Sequence, residues 1–119
     1  MAMRRGDVIL TYVKFSSGPG GKVRPALIVQ SDRNNQRLQD TIIALITRTT
    51  QRAQTEATQL LIDLATPEGK ASGLLQHSAV KCEHLETILQ ADVQRTIGHL
   101  SVSLMRKIDS CLKAALGLP

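Results

Sequence analysis

The stretch DVILTYVKFSSGPGGKVRPALIVQSD, residues 7–32, decides how the fold begins. Its opening, Asp7–Phe15, is rich in β-branched and aromatic residues and predicts a strand. The following SSGPGGK cannot continue regular structure, so a glycine-rich loop joins this strand to a second one over Lys22–Asp32. Pro25 lies in the second strand, and because proline cannot donate to a ladder, we expect it at an edge, at a bulge or at the strand entrance.

The chain continues with short strands separated by polar turns. RNNQRLQD is a polar connection with room for a short helical turn, and DTIIALITRTT (40–50) predicts a third strand whose continuous apolar run is buried on both faces. TQLLIDL (58–64) predicts a fourth strand and ATPEGKASG a turn. SAVKCEHLETILQAD carries further strand segments, and RTIGHLS predicts a last short strand.

The last segment changes to helical periodicity. Leu104, Ile108 and Leu112 recur on one helical face, which predicts an amphipathic helix. Ser101 is its expected N-cap and Gly117 its expected stop. Five to seven short strands followed by one such helix predict a mainly β fold with α: a small β-barrel, in a single domain over the whole chain, whose open side the helix covers.

The positive charge is concentrated in the N-terminal half. The net charge is +5, and residues 1–53 hold nine lysines and arginines against three acids, whereas residues 54–119 hold six against seven. Such asymmetry favours a polyanion or an acidic protein as partner, although a merely solvated basic face gives the same pattern. We therefore expect a functional groove on the face built by residues 1–53.

Composition excludes several other kinds of site. Aromatic residues, Tyr12 and Phe15, are only 2% of the chain, so an aromatic platform for stacking bases is nearly excluded. Cys82 and Cys111 form no CxxC spacing and no metal half-site with a histidine, so we expect neither a metal nor a cofactor. With no leader-like start and no apolar run of about 20 residues, we expect a cytoplasmic protein with reduced thiols and no membrane contact.

Two residues are candidates for chemistry on a phosphate. Arg24 is the only charged residue between Lys22 and Asp32. A guanidinium offers fixed donors and a permanent charge that suit a phosphate or a phosphorane, although an arginine at a strand start is more often simply exposed or ion-paired. Thr47 ends the apolar run IIALI and can project a hydroxyl into a groove, but threonine is also a good strand former.

The glycine-rich loop and one histidine are weaker candidates. Gly18–Gly21 lacks the GxxxxGK[ST] pattern of a nucleotide-binding loop, so a mobile flap is the better interpretation. His84, beside Glu83, could carry a proton near neutral pH, but a lone histidine is more often a surface or core residue. Ser78 and Glu83 are equally open to a catalytic or a structural role.

In order and spacing, these segments resemble the MazF/PemK toxin family. The chain supplies RRGDVIL (4–10) as a basic-Gly-Asp start, SGPGGKVRPALIVQSD (17–32) as a glycine-rich loop with an Arg-Pro-apolar strand, and ALIT (44–47) as an apolar-Thr strand end. SAVKCEHLETI, RTIGHLS and the final helix with its ALGLP end are also similar. The resemblance therefore spans almost the whole chain.

The resemblance implies an SH3-like barrel that forms a homodimer and cleaves single-stranded RNA without a metal, often at short preferred sequences. Arg24 corresponds to the arginine and Thr47 to the threonine that the family uses at the scissile phosphate. The ribose 2′-OH would attack phosphorus and leave a 2′,3′-cyclic phosphate and a 5′-OH. Arg24 would stabilise the phosphorane, and Thr47 would hydrogen-bond a non-bridging oxygen or assist proton transfer. The residues expected to contact RNA beside this pair are Lys14, Lys22, Arg48, Gly20, Gly21 and His84.

The chain departs from the family's pattern at three places. Pro19 stands where many relatives have an acidic loop residue, and His84 stands where many have glutamine. The segment 13–15 reads VKF and lacks an aspartate that is common near the end of the first strand. The resemblance therefore transfers neither a proton-transfer residue nor a cleavage sequence.

The same resemblance implies the toxin of a type II toxin–antitoxin system, which stops translation and growth by cutting mRNA. We expect an acidic, largely disordered antitoxin tail to occupy the basic groove and to displace the Ser16–Gly21 loop. One alternative is a toxin of the same barrel, of the CcdB class, that binds DNA gyrase without cutting RNA. Another is a plain RNA-binding barrel. Arg24 and Thr47 favour the nuclease, because a gyrase binder has no use for a phosphate clamp at that place.

Overall fold

The computed structural model describes residues 3–119, and its strands form one antiparallel sheet. The strands are β1 (Asp7–Lys14), β2 (Gly21–Ile28), β3 (Asp40–Thr47), β4 (Gln59–Ile62), β5 (Ser78–Leu89) and β6 (Val93–His99). Their order in the sheet is β4-β5-β3-β2-β1-β6. The helices are α1 (Asp32–Arg37), α2 (Pro67–Ala71) and α3 (Val102–Leu116), with 3-10 turns at Gln51–Gln54 and Gln90–Asp92.

The sheet curls, and its long strand β5 shows where it bends. The N-terminal half of β5 pairs with both β3 and β4, and its C-terminal half pairs with β3 alone. Ala44 and Leu45 are neighbours in β3, but their partners in β5, Leu85 and Lys81, lie four positions apart. Residues 82–84 therefore bulge out of the ladder and bend the strand. The predicted small β-barrel with a C-terminal helix is confirmed, in the form of an open half-barrel.

Apolar side chains are buried on both faces of this sheet. One cluster joins the sheet to α3 through Leu104, Ile108 and Cys111. The second cluster consists of Ile9, Val13, Ala26, Ile28, Ile43 and Leu45. Along β3, Ala44 and Ile46 belong to the first cluster and their neighbours to the second. Since side chains alternate between the faces of a strand, the predicted burial of the third strand on both faces is confirmed.

The C-terminal helix begins and ends as the sequence predicts. The Leu104 N–H donates to Ser101 Oγ at 3.2 Å, and Gly117 ends the helix in the left-handed region with φ 69°. Ile108 is fully buried, and Leu112 packs against the margin of the same cluster. The helix thus lays one apolar face on the sheet and covers it.

The second predicted strand is too long at its C-terminal end. β2 ends at Ile28 rather than at Asp32, because the chain turns there into α1. Ser31 is the N-cap of that helix, and its Oγ accepts from the Asn34 N–H at 3.2 Å. The signal was present in the sequence as a serine directly before a polar, acidic first turn.

Other boundaries also differ from the prediction. ATPEGKASG contains the short helix α2, which Thr66 caps by accepting from the Gly69 N–H at 3.0 Å and which proline opens at its first position. The third and fourth strands end early, at Thr47 and Ile62. Within residues 3–119 the structure contains no helix with the length and hydropathy needed to cross a membrane.

Candidate active site

Arg24 and Thr47 lie where β2 and β3 stop pairing. The ladder between these strands pairs Ile28 with Ile43 and ends at Ala26 with Leu45. Two further steps of the same register would place Arg24 opposite Thr47, but no pairing continues there. The intervening residue of β2 is a proline, which has no N–H to donate to either neighbour. The two strands therefore separate at Arg24 and Thr47.

A cleft of about 630 Å³ occupies this gap and the adjoining sheet surface. Its walls come from the residues 22–25 of β2, from the end of β3 and the turn after it (46–49), and from the loop that precedes β5 (73–76), together with Ser78. Leu10 of β1, and Arg95 and Ile97 of β6, complete the lining. The prediction that residues 1–53 build the groove is therefore only partly right, because the loop and β6 supply a whole wall.

The cleft is cationic throughout. Lys22, Arg24, Arg48 and Arg95 line it, and no carboxylate of residues 3–119 does so. Arg24 Nε is buried and has no hydrogen-bond partner among residues 3–119. A buried N–H of a permanently charged group is costly when it has no acceptor, which indicates that an acceptor from outside the chain completes the site. The geometry suits an anion that can take hydrogen bonds from a guanidinium.

The hydroxyl of Thr47 is held in a defined orientation. The Thr49 N–H donates to Thr47 Oγ1 at 3.1 Å, so the hydroxyl hydrogen remains free to be donated to a bound group. Ser78 is different, because its hydroxyl donates to the Gln76 carbonyl oxygen at 2.9 Å and is buried. Of the Thr47 and Ser78 hydroxyls on the strands of the cleft, that of Thr47 has a hydrogen that can be donated to a bound group.

The loop wall of the cleft depends on two close backbone approaches to β6. A Cβ on Gly73, which has φ +75°, would lie 2.0 Å from the Ile97 carbonyl oxygen. A Cβ on Gly98 would lie 2.4 Å from the Ala71 carbonyl oxygen. Only glycine permits these contacts. The sequence signal for this wall is a pair of isolated glycines, one in a turn and one in a strand, and only the fold brings their segments together.

Four of the predicted RNA-contacting residues lie outside the cleft lining. Lys14 borders a second depression, together with Glu86 and other residues. His84 Nε2 lies 3.5 Å from Glu86 Oε2, which links the histidine to that region. Gly20 lies in the β1–β2 loop, where its carbonyl accepts from the Phe15 N–H at 3.0 Å, and Gly21 begins β2 opposite Lys14. The structure thus brings together Lys22, Arg24, Thr47 and Arg48 in the cleft. It places the other four predicted residues outside the cleft lining.

The Glu83 carboxylate is held by hydrogen bonds from two neighbouring side chains. It accepts from Gln59 Nε2 at 2.7 Å and from the Thr58 hydroxyl at 3.0 Å. Burial raises the pKa of Glu83, but the hydrogen bonds from Gln59, the backbone and Thr58 outweigh it, so the pKa lies below its ordinary value. Through these hydrogen bonds the carboxylate joins β4 to β5. This favours a structural role for Glu83 over a catalytic one.

The two thiols are buried, and their pKa values are raised. Burial, and then the proximity of Cys111, raise the pKa of Cys82 to about 12. Burial likewise raises the pKa of Cys111. A thiol is nucleophilic or metal-binding as the thiolate, which such values disfavour at neutral pH. Within residues 3–119 no three histidine, cysteine or acidic side chains are grouped so that they could hold a metal ion.

The fold and the site together define a small β domain: a curled antiparallel half-barrel whose cleft, among residues 3–119, is lined by cations and by no carboxylate. A family model described as "PemK-like, MazF-like toxin of type II toxin-antitoxin system" matches residues 4–116, and the chain belongs to this family. The family inferred from the segments around Arg24 and Thr47 is thereby confirmed.

Individual relatives agree with this assignment. The chain is 32% identical to endoribonuclease EndoA of Bacillus subtilis (strain 168), over 99% of this chain and 97% of that protein. A solved structure titled as an endoribonuclease in complex with its cognate antitoxin, from Mycobacterial species, superposes with a TM-score of 0.76 at 24% identity and covers 99% and 98% of the two chains. Mycobacterium tuberculosis toxin MazF-mt6 gives a TM-score of 0.72 at 26% identity, over 93% and 98%.

Proposed function

We propose that the chain is an endoribonuclease that cleaves single-stranded RNA at the Arg24 and Thr47 pair. The observation that carries this proposal is the buried Nε of Arg24, which has no acceptor among residues 3–119 and borders a cleft free of carboxylates. A phosphodiester supplies the missing acceptor and the missing negative charge together. Family membership and the relatives named as endoribonucleases support the same conclusion.

The proposed chemistry is an internal transfer at phosphorus. The ribose 2′-oxygen attacks the adjacent phosphorus, loses its proton, and forms a phosphorane. The bond from phosphorus to the 5′-oxygen then breaks, and that oxygen takes up a proton. The products carry a 2′,3′-cyclic phosphate and a 5′-OH. In this scheme Arg24 stabilises the charge that develops on the equatorial oxygens, and the free hydroxyl hydrogen of Thr47 is donated to one of them.

The direct test is cleavage of a defined transcript by purified protein in excess EDTA. We expect cleavage to continue, the fragments to carry the stated ends, and an RNA with a 2′-deoxyribose at the cleaved step to stay intact at that step. Arg24→Ala and Thr47→Ala should lose activity, whereas Arg33→Ala, on the exposed surface of α1, should keep it. Loss of cleavage on chelation contradicts the metal-independent route. An intact transcript under all conditions would favour the DNA gyrase binder instead.

The biological setting proposed for this activity is the cytoplasm, where cleavage of mRNA stops translation and growth. We propose that an acidic antitoxin neutralises the protein by occupying the cleft, because a negatively charged tail is attracted to the same four cations as RNA. The solved relative bound to its cognate antitoxin supports such a partner. A homodimer is proposed as well, with two clefts related by a twofold axis.

These partner proposals have their own measurements. Co-expression with the product of an adjacent acidic gene should give a complex that no longer cuts RNA, and the toxin alone should run as a dimer by light scattering. The antitoxin should protect the cleft residue Arg48 from a guanidinium-modifying reagent, and it should leave Arg106 on α3 reactive. Protection of Arg106 alone would refute the steric part of the proposal.

A further inference from the structure

Arg95 is the one cation of the cleft that comes from the C-terminal half of the chain. It lies on β6, the edge strand against which the loop wall packs, and its side chain is exposed. The C-terminal half of the sequence has a slightly negative net charge. The charge distribution along the sequence therefore does not indicate Arg95 as a residue that binds an anion. Its position in the folded chain, not its surroundings in the sequence, brings it to the cleft.

A register shift in the β1–β6 ladder puts Arg95 on the cleft side. Val8 pairs with Gly98, but Ile9 pairs with Thr96, so β6 carries one extra residue between these two pairs. Arg95 is consequently opposite Leu10. Without the extra residue it would be opposite the next residue of β1, and its side chain would project from the other face of the sheet. Bulges often aim a side chain at a functional site in this way.

Arg95 is separated from the Arg24 and Thr47 pair by an apolar row. Leu10 pairs with Pro25 on one side and with Arg95 on the other, so these three residues lie side by side on adjacent strands. Two strand spacings, about 10 Å, separate the backbones of β2 and β6. Arg24, which precedes Pro25 in β2, and Arg95 on β6 therefore line different parts of the cleft.

The charge of Arg95 is not neutralised within the described part of the chain. Its guanidinium makes no ion pair and no side-chain hydrogen bond within residues 3–119, whereas Arg5 is paired with Asp109 at 2.6 Å and donates to the Val29 carbonyl at 2.9 Å. No carboxylate lines the cleft that it borders. An arginine held by the fold at a site without a counterion is available to an anionic ligand.

We propose that Arg95 is a positioning residue that binds an RNA phosphate next to the scissile one and so fixes how the strand lies across the cleft. This inference rests on the proposed ribonuclease activity and deepens it. Arg24 and Thr47 act on the phosphate that reacts, and Arg95 holds a neighbouring phosphate on the far side of Leu10. The contact exists before the reaction and throughout it, so it contributes to binding and not to the chemical step.

The test uses Arg95→Gln, with Arg106→Gln on the exposed surface of α3 as the matched control. Binding is measured on an oligoribonucleotide that spans a mapped cleavage step and carries 2′-deoxyribose at that step. We expect Arg95→Gln to raise Kd by about three- to tenfold at low salt. The slope of log K against log salt should become shallower by about 0.7, the value for one phosphate contact on a single strand. Arg106→Gln should change neither quantity.

The contacted phosphate is located with neutral methylphosphonate linkages, introduced one at a time beside the cleavage step. At one flanking linkage the neutral group should weaken binding to the wild type but should add no further loss in Arg95→Gln.

In cleavage assays the KM of Arg95→Gln should rise while its kcat stays within about twofold of the wild-type value. A fall in kcat at unchanged KM, or equal behaviour of the two variants, would overturn the proposal. If the wild type does not cut RNA, the ribonuclease proposal fails, and the Kd and salt slope of wild type and Arg95→Gln on a single-stranded RNA of mixed sequence still decide whether Arg95 contacts a phosphate.

Discussion

Arg24 and Thr47 occupy equivalent positions on neighbouring strands, two residues beyond the last pair of the β2–β3 ladder. The strand pairing stops before this point, and both residues line the cleft that begins there. One of them carries a buried donor with no acceptor among residues 3–119. The arrangement is costly to the folded chain by itself and becomes favourable when an anion is bound.

The first prediction is that Arg24→Met inactivates the protein without destabilising it. Methionine keeps much of the side-chain length but removes the orphaned donor, so the free energy of unfolding should stay equal or rise by up to about 1 kcal/mol. The RNA cleavage rate should fall by roughly 30- to 1000-fold, because the charge on the phosphorane is no longer stabilised. Urea unfolding and single-turnover cleavage measure the two effects. A variant that is less stable by 2 kcal/mol or so would show that Arg24 serves the fold instead.

The second prediction concerns the loop wall of the cleft. Gly73→Ala and Gly18→Ala both place a Cβ at a similar positive φ, +75° and +77°, but the new atom is 2.0 Å from the Ile97 carbonyl oxygen in the first and has no atom within 4 Å in the second. Gly18→Ala should therefore cost only the backbone strain, about 1 kcal/mol. Gly73→Ala should cost on the order of 3 kcal/mol or more and should also lower RNA binding.

Urea denaturation of the two glycine variants separates the cost of backbone strain from the cost of the steric overlap between the new Cβ and β6. If both lose the same stability, the close approach of residue 73 to β6 is not what holds the loop. A third variant, Gly98→Ala, meets the Ala71 carbonyl oxygen at 2.4 Å and should behave like Gly73→Ala.

The Arg-Pro step and the end of the apolar third strand marked Arg24 and Thr47 as candidates, and the family resemblance supplied their proposed role. The structure places both residues at one cleft, and their role remains a proposal. Arg95 could not be found in this way, since a one-residue shift in the β1–β6 register decides which face it occupies. Helix α2 was missed for a simpler reason: its cap, Thr66, is followed by proline and glycine, which favour a turn equally well.

The third prediction is a pH dependence of stability that Glu83 causes. Its folded-state pKa is lowered, so its contribution is present above its ordinary pKa of 4.5 and is lost as the pH falls through the folded-state value. Glu83→Gln should therefore be less stable than the wild type at pH 7, by less than about 1 kcal/mol because the group is exposed and screened by solvent, and the difference should shrink as the pH falls through the folded-state pKa. Glu56→Gln, at an exposed position, is the control. A difference that is constant with pH would rule out the carboxylate as its origin.

The fourth prediction is that neither cysteine reacts while the protein is folded. Both thiols are buried with raised pKa values, that of Cys82 to about 12, so at pH 8 almost no thiolate is present or accessible. Iodoacetamide should label both thiols only in urea, and the labelling should follow the unfolding transition. Ser110→Cys introduces an exposed thiol on α3 that should react at once and serves as the internal reference. Rapid labelling of Cys111 in the native protein would show that α3 opens from the sheet.

The last prediction separates the two functions of the Thr47 hydroxyl. Its oxygen accepts the Thr49 N–H at 3.1 Å in an exposed turn, so removing that contact should change stability by less than about 0.5 kcal/mol. Its hydrogen is free for a phosphoryl oxygen, and losing that donor should slow cleavage by roughly 100-fold. Thr47→Val keeps the shape without the hydroxyl and should show the full loss, whereas Thr47→Ser should retain activity within about tenfold, since only a methyl contact is removed. Equal activity of the valine and serine variants would assign Thr47 a packing role and leave Arg24 as the sole group acting on the phosphate.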